Sequence, residues 1–267
     1  MPQYVPIAAS THASKRWQRY SNYAFAAPDA VVPLVAHEMP KACMTLPLAF
    51  VQQGEQFAPV ALLGLHSGQN LYVAADGRWL GAYIPSAYRG YPFALAQTPE
   101  GQQVLCIDAD SGLVHDSEGE AFFDEHGQPS QPVKDVLNFL QQVHANRAVT
   151  QRVCTALSQL ELLQPWPITL QSDQGEQALQ GLWRIDEAKL KLLDAAALHR
   201  LQQTGALPLA YCQLLSMQHL PELGKRAQAL AQASAPKPGP APLPTTASGE
   251  LDLEFLNDGG TLRFGFM

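Results

Sequence analysis

Charge is the scarcest ordinary ingredient of this chain. Only 15% of its 267 residues are Asp, Glu, Lys or Arg, against about a quarter in a typical soluble domain. Its 17 Lys and Arg are outnumbered by 24 Asp and Glu, which leaves a formal charge of −7. Scattered cations on an acidic chain match phosphate backbones poorly, so nucleic-acid binding is not expected. Cysteine is sparse as well. Cys43, Cys106, Cys154 and Cys212 lie far apart, each among apolar neighbours, and none forms a CxxC pair. That excludes tetrahedral zinc spacing and reads as buried free thiols in a reducing compartment. No stretch approaches the roughly 20 apolar residues of a membrane span. The start, MPQYVPIAASTHASKRW, lacks the apolar run behind a basic start that marks a cleaved secretory signal. The expectation is a cytoplasmic chain without a membrane span, with signal-less export to the cell surface as the alternative.

Reaction-centre motifs are missing too. GxSxG, the P-loop, GxGxxG and HExxH are all absent, and Ser67 in Gly64-Leu65-His66-Ser67-Gly68 has the wrong glycine spacing and reads as a turn. The densest polar stretch is CIDADSGLVHDSEGEAFFDEHG, residues 106–127. Asp108-x-Asp110 resembles the opening of a calcium loop. Its sixth position is Leu113, with Gly112 one step early, and its twelfth is Gly119 where a bidentate Glu belongs. His115, Asp116, Asp124 and His126 have the residue types of a His/carboxylate metal set, but their order reads better as a solvated hairpin edge. No metal and no cofactor is expected. In Arg184-Ile185-Asp186-Glu187, Asp186 has the position of a helix N-cap and Glu187 favours the macrodipole.

What is present points to an α+β fold, strands first and helices after. Residues 1–40 carry prolines at 2, 6, 28, 33 and 40 and aromatics at Trp17, Tyr20, Tyr23 and Phe25, the pattern of an irregular arm. Between Leu46 and Phe123 the spacing predicts short antiparallel strands at Leu46–Val51, Val60–Leu65, Leu71–Ala74, Trp79–Ile84, Phe93–Ala96 and Val104–Asp108. Asp76-Gly77 predicts a type I′ hairpin turn. After Gly127 the period becomes helical. Val133, Val136, Leu137, Leu140 and Val143 form one stripe, and Val149, Val153, Leu157 and Leu160 form a second that stops before Pro165. Two strands, Ile168–Leu170 and Leu179–Trp183, are expected around Asp173-Gln174-Gly175. A helix from about Asp186 should end at Gly205, and Leu207 to Ala233 reads as a helix or helix pair interrupted near Pro221.

The end of the chain differs in kind. Five of the 21 prolines fall in APKPGPAPLPTTAS, which predicts an extended linker at about 3 Å per residue. Beyond it Leu251, Leu253 and Phe255, then Leu262, Phe264 and Phe266, alternate around Asn257-Asp258-Gly259-Gly260, a hairpin pattern. A lone hairpin is marginal in water, so this interaction tail should dock on its own body, dock on another chain, as in a homo-oligomer, or serve as a terminal recognition tail. The divisions are then 1–40 arm, 41–233 α+β domain, 234–249 linker and 250–267 hairpin tail.

The least bland segment is GRWLGAYIPSAYRGYPFALA, residues 77–96. Arg78, Trp79, Tyr83, Arg89, Tyr91 and Phe93 bring cations and aromatics together, the usual makings of a recognition surface. They are the candidate binding residues; a structural aromatic core is the competing account. Here the sequence resembles the bacterial SapC family, across LLGLHSGQNLYVAADGRWLGAYIPSAYRGYPFALA (62–96), FFDEHGQPS (122–130), GLWRIDEAKLKLL (181–193) and GALPLAYCQLLSMQHLPEL (205–223). The resemblance implies a protein associated with a bacterial surface layer. It also implies partners among TonB-dependent receptors and flavin-dependent halogenase-like proteins, in nutrient uptake or peptide modification. It carries no catalytic residues over. The expectation is a non-catalytic protein acting through protein contacts, in surface-layer biogenesis or as accessory to such a system. The alternatives are an enzyme on peptides or sugars, with a site around Arg78, Arg89, Asp108, His115 and Asp124, and a small-ligand binding module using the aromatic strip.

Overall fold

A 29-residue helix, Gln131–Gln159, is the longest element of the computed structural model, which describes residues 3–172 and 175–234. The two expected stripes are one uninterrupted helix, because nothing between Val143 and Val149 breaks it: His144-Ala145-Asn146-Arg147-Ala148 holds neither Gly nor Pro. It packs against the strand Gln56–Leu62 and the 3-10 turn Ala36–Glu38.

The fold is α+β, with antiparallel sheets concentrated in the first half and helices in the second. Several small sheets replace the single sheet expected. In the largest, five antiparallel strands run in the order Leu163–Pro165, Leu182–Ile185, Leu48–Gln53, Gln56–Leu62, Val31–Pro33. A three-stranded sheet orders Tyr4–Pro6, Gln103–Asp108 and Phe93–Gln97. Arg16–Trp17 sits between Val114–His115 and Glu120–Ala121. Residues 3–40 thus supply three short strands to three sheets, which ties the arm into the body.

Two expected strands are corrected. Leu71–Ala74 and Trp79–Ile84 form no ladder; a single bridge joins Val73 to Trp79. The turn between them is not type I′, since only Gly77 has a positive φ, +82°. Gly77 N–H bonds Ala74 O at 2.8 Å and Ala74 N–H bonds Arg78 O at 2.9 Å, a three-residue connection that needs one left-handed residue and finds it in glycine. The strands Ile168–Ser172 and Gly175–Leu179 pair with each other, and Leu182–Ile185 joins the large sheet instead.

The helix expected from Asp186 to Gly205 is two, Glu187–Lys191 and Ala195–Thr204. Asp186 caps the first by accepting from Lys189 N–H at 3.0 Å. Asp194 caps the second by accepting from Ala197 N–H at 2.8 Å, so an Asp inside an apparently continuous pattern starts a new helix. Ala206–Ser216 follows, then a 3-10 turn, then Leu220–Ser234. Gln213, fully buried, clasps two strands: Oε1 accepts from Ile185 N–H at 2.9 Å and Nε2 donates to Leu48 O at 3.1 Å. Ser216 Oγ accepts from Leu48 N–H beside it.

A main core joins the five-stranded sheet to the helices, and a smaller one gathers Trp17, Phe93, Ile107, Phe122 and Val133. The chain divides into units 1–228 and 229–267. The second is described only at 229–234, which are helical. Apart from Ser234, which is helical, the expected linker and the hairpin of Leu251, Leu253, Phe255, Leu262, Phe264 and Phe266 lie outside the described residues. No described helix is long and apolar enough to cross a membrane.

Candidate functional site

One carboxylate organises the aromatic, arginine-bearing segment. Glu38 is only 5% exposed. Its Oε1 accepts from Val35 N–H at 2.9 Å and from Ser86 Oγ–H at 2.7 Å; its Oε2 accepts from Ser86 N–H at 2.7 Å and from the Tyr83 hydroxyl at 2.8 Å. Arg89 Nη2 stands 3.9 Å from Oε2 and donates to the Tyr83 oxygen at 3.3 Å. A buried charge persists only when paired and hydrogen-bonded, and here the donors come from two segments, Val35 beside it and Tyr83 and Ser86 remote in sequence. Burial, then the Glu38 charge, pushes the Tyr83 phenol well above its ordinary value.

The turn that carries Glu38 is held in place by the long helix. Thr150 Oγ1 accepts from Ala36 N–H at 2.8 Å, and Asn146 Oδ1 accepts from His37 N–H at 3.0 Å. Pro85 precedes the single helical turn Ser86–Arg89 and Gly90 follows it. Cation–π contacts place the Arg89 guanidinium over Phe139 at 5.2 Å and over Tyr83 at 5.8 Å.

On the other side of this turn lie the tyrosines. The Tyr88 hydroxyl donates to Asp29 Oδ2 at 3.0 Å, and burial followed by the Asp29 charge raises its pKa. Tyr91 stacks on Phe25, with centroids 3.8 Å apart and planes 11° from parallel. Trp79 stacks on Tyr72 and touches Tyr23 and Tyr88, while its Nε1–H donates to Tyr83 O at 2.9 Å. Tyr20 bridges Tyr23, Phe25 and Tyr91, and burial, then its neighbour Tyr23, pushes its phenol up to about 12. The arm's aromatics and those of residues 77–96 are therefore one cluster.

Cavities open along the Ser86–Arg89 turn. At the tyrosine end, about 650 Å³ is walled by Tyr4, Tyr88 and Tyr91 with Asp29, Asp108 and Asp110. A cleft of about 290 Å³ follows, mainly apolar, with Leu34, Phe57, Pro59 and Val143 in its wall. A third space of about 320 Å³ lies among His37, Glu38, Lys41, Tyr83, Arg89, Phe139 and Asn146. Adjacent spaces share wall residues: Pro33 and Ala87 between the first and second, Val35, Ser86 and Val143 between the second and third. The three spaces lie in a row along the turn, hereafter the trench, acidic and phenolic at one end and with Lys41 and Arg89 beside Glu38 at the other.

The candidate binding residues separate. Tyr83 and Arg89 line the cationic end and Tyr91 the acidic end. Trp79 is half-buried support for Tyr72 and Tyr83. Phe93 is buried in the smaller core, edge-on to Trp17 at 4.6 Å. Arg78 is exposed and spends its charge on Asp76 two residues away, at 2.7 Å.

The five residues suggested for an enzymatic site do not gather. Arg89 and Asp108 line different spaces. Asp108 accepts from Gln3 and Asp110 N–H. His115 pairs with Arg16 in a two-residue strand, and Asp124 closes its own turn by accepting from His126 and Gln128 N–H. Among the described residues no three His, Cys, Asp or Glu side chains converge on a metal position. Glu38, Asp29, Ser86, Lys41 and Asn146 were not anticipated. Asn146 and Thr150 carried a signal, being polar residues on the helical stripe that links Val143 to Val153.

Fold and site together define an α+β protein with a two-ended surface trench. The SapC family model matches residues 7–223, and the chain belongs to the SapC family. No curated protein and no solved structure matches it.

Proposed function

We propose that this SapC-family chain is non-catalytic and grips an extended segment of a partner protein in the trench, in surface-layer biogenesis or as accessory to a neighbouring modification or uptake system. The observation that carries this is the order of chemistry along the trench: carboxylates and phenols, then apolar walls, then Lys41 and Arg89. Val31–Pro33 supports it. This is an edge strand of the five-stranded sheet, with a neighbour on one side only among the described residues, and it lines the acidic and apolar spaces. Extended peptides bind such edges through backbone hydrogen bonds, and flanking pockets select side chains.

Fluorescence anisotropy with labelled heptapeptides tests the proposal. A peptide basic at one end, apolar in the middle and acidic at the other should bind at least about tenfold tighter than one with a serine middle or two acidic ends. Tyr91→Ala should weaken it, and Arg78→Ala, outside the trench, should not. Equal affinity for all three peptides, or an Arg78→Ala loss matching that of Tyr91→Ala, would overturn it.

A further inference from the structure

We propose that the space between the Ala36–Glu38 turn and the long helix is a carboxylate pocket, taking a terminal carboxylate whose hydrocarbon lies in the adjoining apolar cleft. This deepens the trench proposal and, where the carboxylate is a peptide's C-terminus, rests on it.

The case begins with an unfinished hydrogen-bond set. Asn146 is 5% exposed, and its Oδ1 is committed to His37 N–H at 3.0 Å, which fixes the orientation of the amide. Its Nδ2 is buried and has no acceptor among the described residues, although Asn146 lines the space. A buried donor without a partner is costly, and on a small shift of the amide toward the space a ligand oxygen would supply the missing acceptor.

Positive charge in excess of the one carboxylate lies at the same place. Arg89 uses one N–H on the Tyr83 oxygen, and its plane is held over Phe139. A guanidinium offers five donors in a fork that suits a carboxylate. Lys41 makes no ion pair among the described residues.

Glu38 is the one carboxylate in this wall, and it sets the charge the pocket accepts. Its oxygens are filled by four donors from the protein and it stands 3.9 Å from Arg89. That leaves the cations in excess for a monoanion but opposes a dianion such as phosphate. The neighbouring cleft, walled by Leu34, Phe57 and Val143, takes apolar groups. A carboxylate on an apolar stem fits both halves.

Isothermal titration of the full-length protein tests this with acetyl-Leu-Val-Leu as free acid, the same peptide as C-terminal amide, and hexanoate as a small-molecule acid. The free acids should bind, with the amide at least about tenfold weaker. Lys41→Gln, at an exposed position, should lower acid affinity severalfold without changing the melting temperature. Asn146→Asp keeps an acceptor for His37 N–H but replaces the free donor with an acceptor, and should abolish the preference for acid over amide. If that variant does not fold, Lys41→Gln decides. Acid and amide binding equally well would overturn the pocket and leave the trench standing. Hexanoate binding without either peptide would support the pocket and overturn the trench. No binding by any probe, or an unchanged acid affinity in Lys41→Gln, would overturn the pocket.

Discussion

Replacing Glu38 with glutamine changes one atom of the side chain and should destabilise the protein well beyond what that suggests. Each carboxylate oxygen accepts one backbone N–H and one hydroxyl: Val35 N–H and Ser86 Oγ–H on Oε1, Ser86 N–H and the Tyr83 hydroxyl on Oε2. A glutamine NH₂ must occupy one of those positions. The hydroxyl there can rotate and accept, but the backbone N–H cannot, so either amide orientation leaves a buried donor facing a donor. One such unsatisfied group costs about 1–3 kcal/mol, and the surviving bonds lose the strengthening that an ionised acceptor supplies. Arg89, at 3.9 Å, loses its counter-charge as well. The sum is about 3 kcal/mol, or a melting temperature lower by roughly 6–12 °C for a domain of this size. Tyr83→Phe removes one donor to the carboxylate and one acceptor of Arg89 Nη2, and should cost about 1.5–2 kcal/mol. Urea unfolding followed by circular dichroism measures both. The reasoning is refuted if Glu38→Gln lies within about 1 kcal/mol of wild type, or if Tyr83→Phe costs as much.

Two further outcomes follow from burial and close packing. Burial holds the Cys154 thiol up at about 12, burial and then Cys43 do the same for Cys212, and Tyr20 reaches about 12 as well. Unfolded, these groups ionise from about 8.5 for cysteine and 10 for tyrosine. Above about pH 8.5 the unfolded chain therefore binds fewer protons than the folded one, so stability is complete below that pH and falls as pH rises toward 12. The urea midpoint should drop between pH 8 and pH 10.5, less steeply in Cys154→Ala; a flat midpoint would count against the buried thiols. Gly64→Ala should abolish soluble folded protein, because its Cβ would stand 1.8 Å from Gln69 O and 3.2 Å from Ala30 Cα. An alanine variant that melts like wild type would mean that residues 64–69 do not approach this closely.

How much of this was legible depended on whether a residue's role was set locally. The cap at Asp186, the helix end at Gly205 and the two stripes of the long helix follow from neighbours within a few positions, so spacing reveals them; the cap at Asp194 is as local, but the apolar pattern that runs through it hides the break between two helices. Arg78 was nearly legible in the same way, since Asp76 stands two residues away, yet residue type alone placed it among the binding candidates. Phe93 was misleading because its partner Trp17 is remote in sequence; composition marks both as aromatic but does not say which aromatics face inward. Glu38 carried no local mark. Its partners are Val35 and then Tyr83, Ser86 and Arg89, some fifty residues on, and only the folded chain brings them together. Asn146 and Thr150 were marked, but by contradiction. They occupy stripe positions between Val143 and Val153 where an apolar side chain is the default, and such a break in pattern signals a site more often than decoration. In a chain this poor in charge, the few buried polar side chains are the informative ones, because each must be answered by a partner. Glu38 is answered in full and Asn146 only in part, which makes the first a support of the fold and the second the place to look for a ligand.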